Sequence, residues 1–295
     1  MNRSSISLPQ VSAPKTQGFL KTRRSDTWWL FPAVTLVYFL AALIYLNWAG
    51  WQGQYYYYEG ADSSGYRAQY LSPAYSPTLW TDTTRPGSAP VHHAWFGQWP
   101  EWLPKAIWFI PITPAFLILI IPGGFRLTCY YYRGAYYKAF WGDPPNCAVG
   151  EPGLRGEKYR GERWAPLSLM NIHRYFLYLA LGFIVILSYD AVLSFIFVGP
   201  DGSHRFGVGI GSLVIAVNAV LLALYTFGCH SLRHVVGGKN DCVSANPLRF
   251  KTYNCVSCCN RWHMQWAWIS LFWVCFTDLY VRLCSMGIWS DWRII

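Results

Sequence analysis

The stretch Gly207–Cys229, GVGIGSLVIAVNAVLLALYTFGC, contains no charged side chain. At about 1.5 Å of rise per residue it is long enough, as a helix, to cross a hydrocarbon core of roughly 30 Å. Four further windows share its length and apolar character: Trp28–Trp51, Ala106–Cys129, Met170–Val198 and Trp262–Ile288. The expected fold is therefore an all-α integral membrane bundle of five transmembrane helices. Composition agrees: 53% of the 295 residues are hydrophobic and 13% charged, too apolar a balance for a soluble domain of this size. Between the windows lie a tail over residues 1–27, loops over 52–105, 130–169 and 230–261, and a closing tail over 289–295.

Orientation follows from Lys and Arg, which are retained on the cytoplasmic side when they flank a span. Arg3, Lys15, Lys21, Arg23 and Arg24 precede the first span. Arg126, Arg133, Lys138, Arg155, Lys158, Arg160 and Arg163 follow the second, and Arg233, Lys239, Arg249, Lys251 and Arg261 follow the fourth. The opposite side holds only Arg67, Arg85, Lys105, Arg205 and Arg293. The N-terminus is expected in the cytoplasm and the C-terminus outside. The basic tail runs into a full-length span rather than a short apolar region with a cleavage site, so no cleaved signal peptide is expected. The net charge of +10 then reflects attraction to anionic lipid headgroups and not a nucleic-acid partner. Cys147, Cys242, Cys255, Cys258 and Cys259 all fall in loops assigned to the reducing side, which argues against a disulfide framework. Cys255 and Cys258 have the spacing of a metal knuckle, but no second pair accompanies them.

The loop 52–105 is rich in Tyr, Trp, Pro and Gly and is expected to cover the outer face as a lid. Pro111, Pro114 and Pro122 should kink the second helix and favour its burial in the bundle. A weak internal repeat lays helices two and three on helices four and five. Arg126-Leu-Thr-Cys129-Tyr-Tyr-Tyr-Arg133 aligns with Thr226-Phe-Gly-Cys229-His-Ser-Leu-Arg233. The next helix in each unit opens on a histidine, His173 or His263, and later carries a carboxylate, Asp190 or Asp278.

In this topology Cys129, His173, Cys229 and His263 lie at one depth on four helices, and a bundle can bring them together. Two thiolates and two imidazoles suit tetrahedral zinc or a Rieske-type 2Fe–2S cluster, in which two His replace two Cys on one iron. A redox group at the membrane surface is favoured, because zinc offers no electron chemistry. His230 and His234 follow Cys229 closely and are alternative ligands. A haem b held by two of these four histidines is the competing reading, although no span carries a histidine in its other half.

At these residues the sequence resembles the membrane-anchor subunit of the three-subunit, actinobacterial-type succinate dehydrogenase. The resemblance rests on Phe125-Arg-Leu-Thr-Cys-Tyr-Tyr-Tyr-Arg133, Asn171-Ile-His-Arg-Tyr-Phe176, Cys229-His-Ser-Leu-Arg-His-Val-Val-Gly-Gly238 and His263-Met-Gln-Trp-Ala-Trp-Ile269, with Tyr75-Ser-Pro77 and Phe96-Gly-Gln-Trp99 in the outer loop. It implies a bacterial inner-membrane protein with five spans, a flavoprotein and an iron–sulfur subunit docked on the cytoplasmic face, a quinone site, and a membrane-embedded Rieske-type cluster on Cys129, His173, Cys229 and His263. The chain has no flavin- or dicarboxylate-binding motif, so succinate oxidation would fall to a partner subunit.

Quinone reduction needs hydrogen-bond donors near the cytoplasmic end, where Tyr130, Arg133, Arg174, Arg233, His230 and His234 are the candidates. Tyrosine and arginine at that depth also serve as interfacial anchors. Intramembrane carboxylates are costly and rarely idle. Asp190 and Asp278 lie roughly 22–26 Å beyond the paired histidines at about 1.5 Å per residue, near the outer boundary. Arg282, four positions after Asp278, is its expected partner. Two other classes compete: a transporter, which would place polar groups nearer the midplane, and a structural anchor without cofactor.

Overall fold

The computed structural model describes residues 26–61, 65–108, 110–136, 139, 171–238 and 242–295. Most of the N-terminal tail and of the 130–169 loop, including Lys138, Cys147, Arg155, Lys158, Arg160 and Arg163, lies outside the described residues, as does Lys239.

Four described helices are long and apolar enough to cross a membrane: α1 (Leu30–Gln52), α4 (His173–Leu193), α5 (Ile210–Phe227) and α8 (His263–Ser285). The second window behaves differently. Ala106–Ile107 (β3) and Ile110–Pro111 (β4) pair as a small antiparallel hairpin, and α2 runs only from Pro114 to Leu127. Proline explains the late start: Pro114 disfavours a helical residue before it, and Thr113 is accordingly extended at φ −125°, ψ 152°. The 14-residue α2 reaches about 21 Å at 1.5 Å per residue. The third window also ends early, because Ile196–Val198 forms a strand.

The fold is thus mostly helical but not all-α. In a four-stranded antiparallel sheet the order is β1 (Tyr57–Ala61), β2 (Arg67–Leu71), β5 (Ile196–Val198), β6 (His204–Phe206). This sheet gathers the long loop and the α4–α5 turn into one cap over an end of the bundle. The closing tail joins it, with Asp291 accepting from Tyr70 Oη and Tyr280 Oη at 2.6 Å and from the Gly211 amide at 2.8 Å. The expected 230–261 loop is instead two helices, α6 (His230–Gly237) and α7 (Pro247–Arg261). Asn246 starts α7 by accepting from the Arg249 amide at 3.1 Å, with Pro247 at the first helical position. A short α3 (Tyr130–Ala135) follows α2.

Helices α2, α4, α5 and α8 pack as the inner group, and α1 lies outside against α8 and α2. α1 buries only Phe39, Ala42, Ala49 and Gly50 and leaves Val37 and Ile44 exposed, as expected of a helix facing lipid.

At the capped end the two repeat carboxylates meet one short segment. A single 3₁₀ turn, Pro73–Tyr75, is flanked by Ser72 and Ser76. The Ser72 hydroxyl donates to Asp278 and the Ser76 hydroxyl to Asp190. Tyr45 of α1 donates to Asp278 at 2.6 Å. Arg282 pairs with Asp278 at 3.3 Å, as its spacing predicted, and donates to the carbonyls of Gln54 (2.8 Å) and Ala49 (3.4 Å).

Candidate redox centre at the uncapped end

The repeat is a repeat of backbone as well as of residue types. α2 stops at Thr128 (φ −86°, ψ −5°) and Cys129 turns extended (φ −68°, ψ 136°) before α3 begins. α5 stops at Gly228 (φ −75°, ψ −1°) and Cys229 adopts φ −65°, ψ 135° before α6. Each cysteine therefore occupies the N-cap position of a short helix. Each histidine stands at the first position of a long helix, His173 on α4 and His263 on α8.

These four side chains converge as two crossed pairs. Cys129 Sγ lies 3.8 Å from His263 Nε2, and Cys229 Sγ lies 3.2 Å from His173 Nε2. Cys129, Cys229 and His263 are buried. All four line one cavity of about 180 Å³ together with Thr128, Tyr130, Arg133, Asn171, His230 and Ser231.

The imidazoles are held by stacking. His173 lies parallel to Phe125 (centroids 4.7 Å, 8°), and His263 lies parallel to Tyr225 (5.0 Å, 8°). Phe125 and Tyr225 each stand four positions before the repeat cysteine, so each unit supplies the ring on which its own following histidine rests. A hydrogen bond fixes the His173 tautomer. Thr128 Oγ1 spends its proton on Gly124 O at 2.7 Å, so His173 Nδ1, 2.8 Å away, is the donor to that oxygen. Nε2 is left as the acceptor facing Cys229 Sγ. His263 differs: its Nδ1 is buried without a hydrogen-bond partner among the described residues.

Two comparisons bear on the chain as a whole. The model of the actinobacterial succinate dehydrogenase subunit SdhC family matches residues 30–287. The chain belongs to that family. A chain of the Mycobacterium smegmatis Sdh1 complex in the apo form is 38% identical, with a TM-score of 0.77 and coverage of 99% of this chain and 99% of that one. No curated protein sequence matches.

Membership in the SdhC family makes this a membrane-anchor subunit of succinate dehydrogenase. Among the described residues no group of three or more His, Cys, Asp or Glu closes around a single metal ion. Two thiols and two imidazoles from four helix ends, lining one cavity, are a donor set whose chemistry fits a two-iron group. The short contacts pair each thiol with an imidazole, whereas a Rieske centre puts both His on one iron.

The other sequence candidates divide. Tyr130, Arg133 and His230 line the cavity, with Tyr131 Oη 3.4 Å from His230 Nε2. Burial, with Arg233 and His234 nearby, holds the His230 imidazole below the ordinary histidine value. Arg174, Arg233 and His234 are not among the lining residues; Arg174 and His234 are exposed, and Arg233 lies over the Tyr253 ring at 5.1 Å. Cys255 and Cys258 sit one turn apart on the helical, exposed side of α7 rather than in a knuckle turn. Thr128, Phe125, Tyr225, Asn171 and Ser231 were not singled out from sequence as site residues. The aromatic four positions before each cysteine was the available signal.

Proposed function

We propose that this subunit delivers electrons from a docked iron–sulfur subunit to quinone, and that Cys129, His173, Cys229 and His263 hold a Rieske-type 2Fe–2S cluster for that purpose. The observation that carries the reading is the convergence of two thiols and two imidazoles from four helix ends on one cavity. When bound, such a cluster supplies one-electron transfer at a potential raised by histidine ligation. Thr128 keeps His173 Nε2 available as a donor, and the Phe125 and Tyr225 rings shield the imidazoles from water and lipid. Tyr130, Arg133 and His230, at the edge of the same donor set, are the hydrogen-bonding groups available to a quinone lodged beside the cluster.

The same reading places this end of the bundle at the cytoplasmic face of a bacterial inner membrane, with the flavoprotein and iron–sulfur subunits docked on it and the cap outside. It supports a five-span topology in which α2 is the short span. Iron analysis and low-temperature EPR of the purified complex test the cofactor. Cys129→Ser or Cys229→Ser should remove two irons per complex and a low-average-g signal, while His234→Ala should leave both. A haem Soret band that survives both serine variants, without that EPR signal, would replace the cluster with haem b.

A further inference from the structure

Arg126 stands in the last turn of α2, three positions before Cys129. A guanidinium inside an apolar helix is expected to find an anionic partner or reach water. Arg126 is half-buried and finds no anionic partner among the described residues. Its Nη1 donates to Tyr132 Oη at 2.6 Å and Ala267 O at 3.0 Å, and its Nη2 to Ser270 Oγ at 2.9 Å. Its charge lies 4.8 Å from the centroid of the Tyr225 ring, the ring that stacks on His263. All these partners are neutral, and among the described residues no carboxylate pairs with it. The repeat makes the charge deliberate in position: the matching residue of the second unit is Thr226, whose hydroxyl returns to Leu222 O at 2.9 Å. At this repeat position only the first unit carries a cation, and Arg126 packs against the Tyr225 ring that stacks on His263, whereas Arg133 lines the cavity itself.

We infer that Arg126 is the fixed counter-charge of the redox centre, a positioning residue that holds the cluster's reduction potential up without ligating it. The inference rests on the cluster reading above. Two ferric ions, two sulfides, two thiolates and two neutral imidazoles sum to zero charge. One electron taken from a reductant leaves the group with one negative charge. A cation fixed nearby in a medium of low dielectric constant favours the charged, reduced form over the neutral one. The hydrogen bonds to Tyr132, Ala267 and Ser270 keep that cation from swinging out to the headgroups.

The test is a mediated redox titration of the purified complex, reduced with dithionite and followed by EPR. Arg126→Gln should leave iron content and g-values unchanged and lower the oxidised-to-reduced equilibrium at least tenfold toward the oxidised form, a negative shift of about 59 mV for one electron. Arg126→Lys should recover most of the shift. Ser270→Asp, which gives Arg126 a carboxylate where it now meets a hydroxyl, should move the midpoint the same way as Arg126→Gln and covers the case in which that variant fails to assemble. An assembled Arg126→Gln or Ser270→Asp complex with an unmoved midpoint, even if less heat-stable, overturns the inference and leaves the cluster standing. A native complex without iron or signal removes both.

Discussion

The buried pair at the capped end gives a sharp energetic test. Asp278 and Arg282 have side-chain exposures of 0% and 1%, and their contact is 3.3 Å. Asp278→Ala strands the guanidinium, among the described residues, with neutral partners: the Gln54 and Ala49 carbonyls and the Trp48 ring. Breaking a buried pair from one side costs about 3–5 kcal/mol, because the remaining charge is uncompensated. Adding Arg282→Met removes that charge and leaves two carbonyls short of a donor, roughly 1 kcal/mol each. The loss of acceptors for Tyr45 and Ser72 is common to both variants and cancels. The double variant should therefore be more stable than Asp278→Ala alone by about 1–3 kcal/mol. Unfolding by SDS in mixed micelles, read by tryptophan fluorescence, measures this. Trp48 is a local reporter, its ring 5.3 Å from the Arg282 guanidinium. A double variant less stable than Asp278→Ala, by the added cost of a second independent lesion, would refute the pairing argument.

Three further outcomes are expected. Asp291→Ala removes one acceptor from Tyr70, Tyr280 and the Gly211 amide, and should cost about 1–3 kcal/mol in the same assay while freeing the C-terminal tail to carboxypeptidase; an undigested tail counts against the anchoring role. In the cap, burial raises the Asp82 pKa, but hydrogen bonds from Lys105 and Thr84 outweigh it and hold the carboxyl below its usual value. A depressed carboxyl stabilises the fold above its ordinary pKa and loses that contribution as pH falls through the depressed value. Protease resistance of the cap should thus drop in acid, and Asp82→Asn should flatten that dependence; an unchanged profile speaks against it. Finally, exposed Cys255 and Cys258 should react with a membrane-impermeant maleimide only after right-side-out vesicles are permeabilised, and labelling of intact vesicles would invert the proposed orientation.

The spans were legible where apolar runs were long and free of proline, as in Gly207–Cys229, and their ends erred by a few residues because strand and helix are equally apolar there. Ile196–Val198 reads like the end of a span but pairs with His204–Phe206. The four-stranded sheet was invisible because β2 meets β5 across a long sequence separation, through the single register pair Arg67 with Val198. No local pattern encodes such a partner. The donor set was legible because polar types recur at matched places in apolar surroundings. Its supporting rings were not, since Phe125 and Tyr225 look like ordinary core aromatics until their parallel stacking on the histidines is seen. α7 was missed because its charges and thiols hide a helix whose start is written only in Asn246-Pro247.

Ser72 and Ser76 reach opposite members of the repeat, Asp278 on α8 and Asp190 on α4, from the two ends of a single turn. Those helices open on His263 and His173, about 22–26 Å away at 1.5 Å per residue. Stiff rods braced at one tip cannot splay freely at the other. The cap thus acts as a spacer bar, and the gauge between the two imidazoles on one leaflet is restrained by a five-residue bracket on the opposite one.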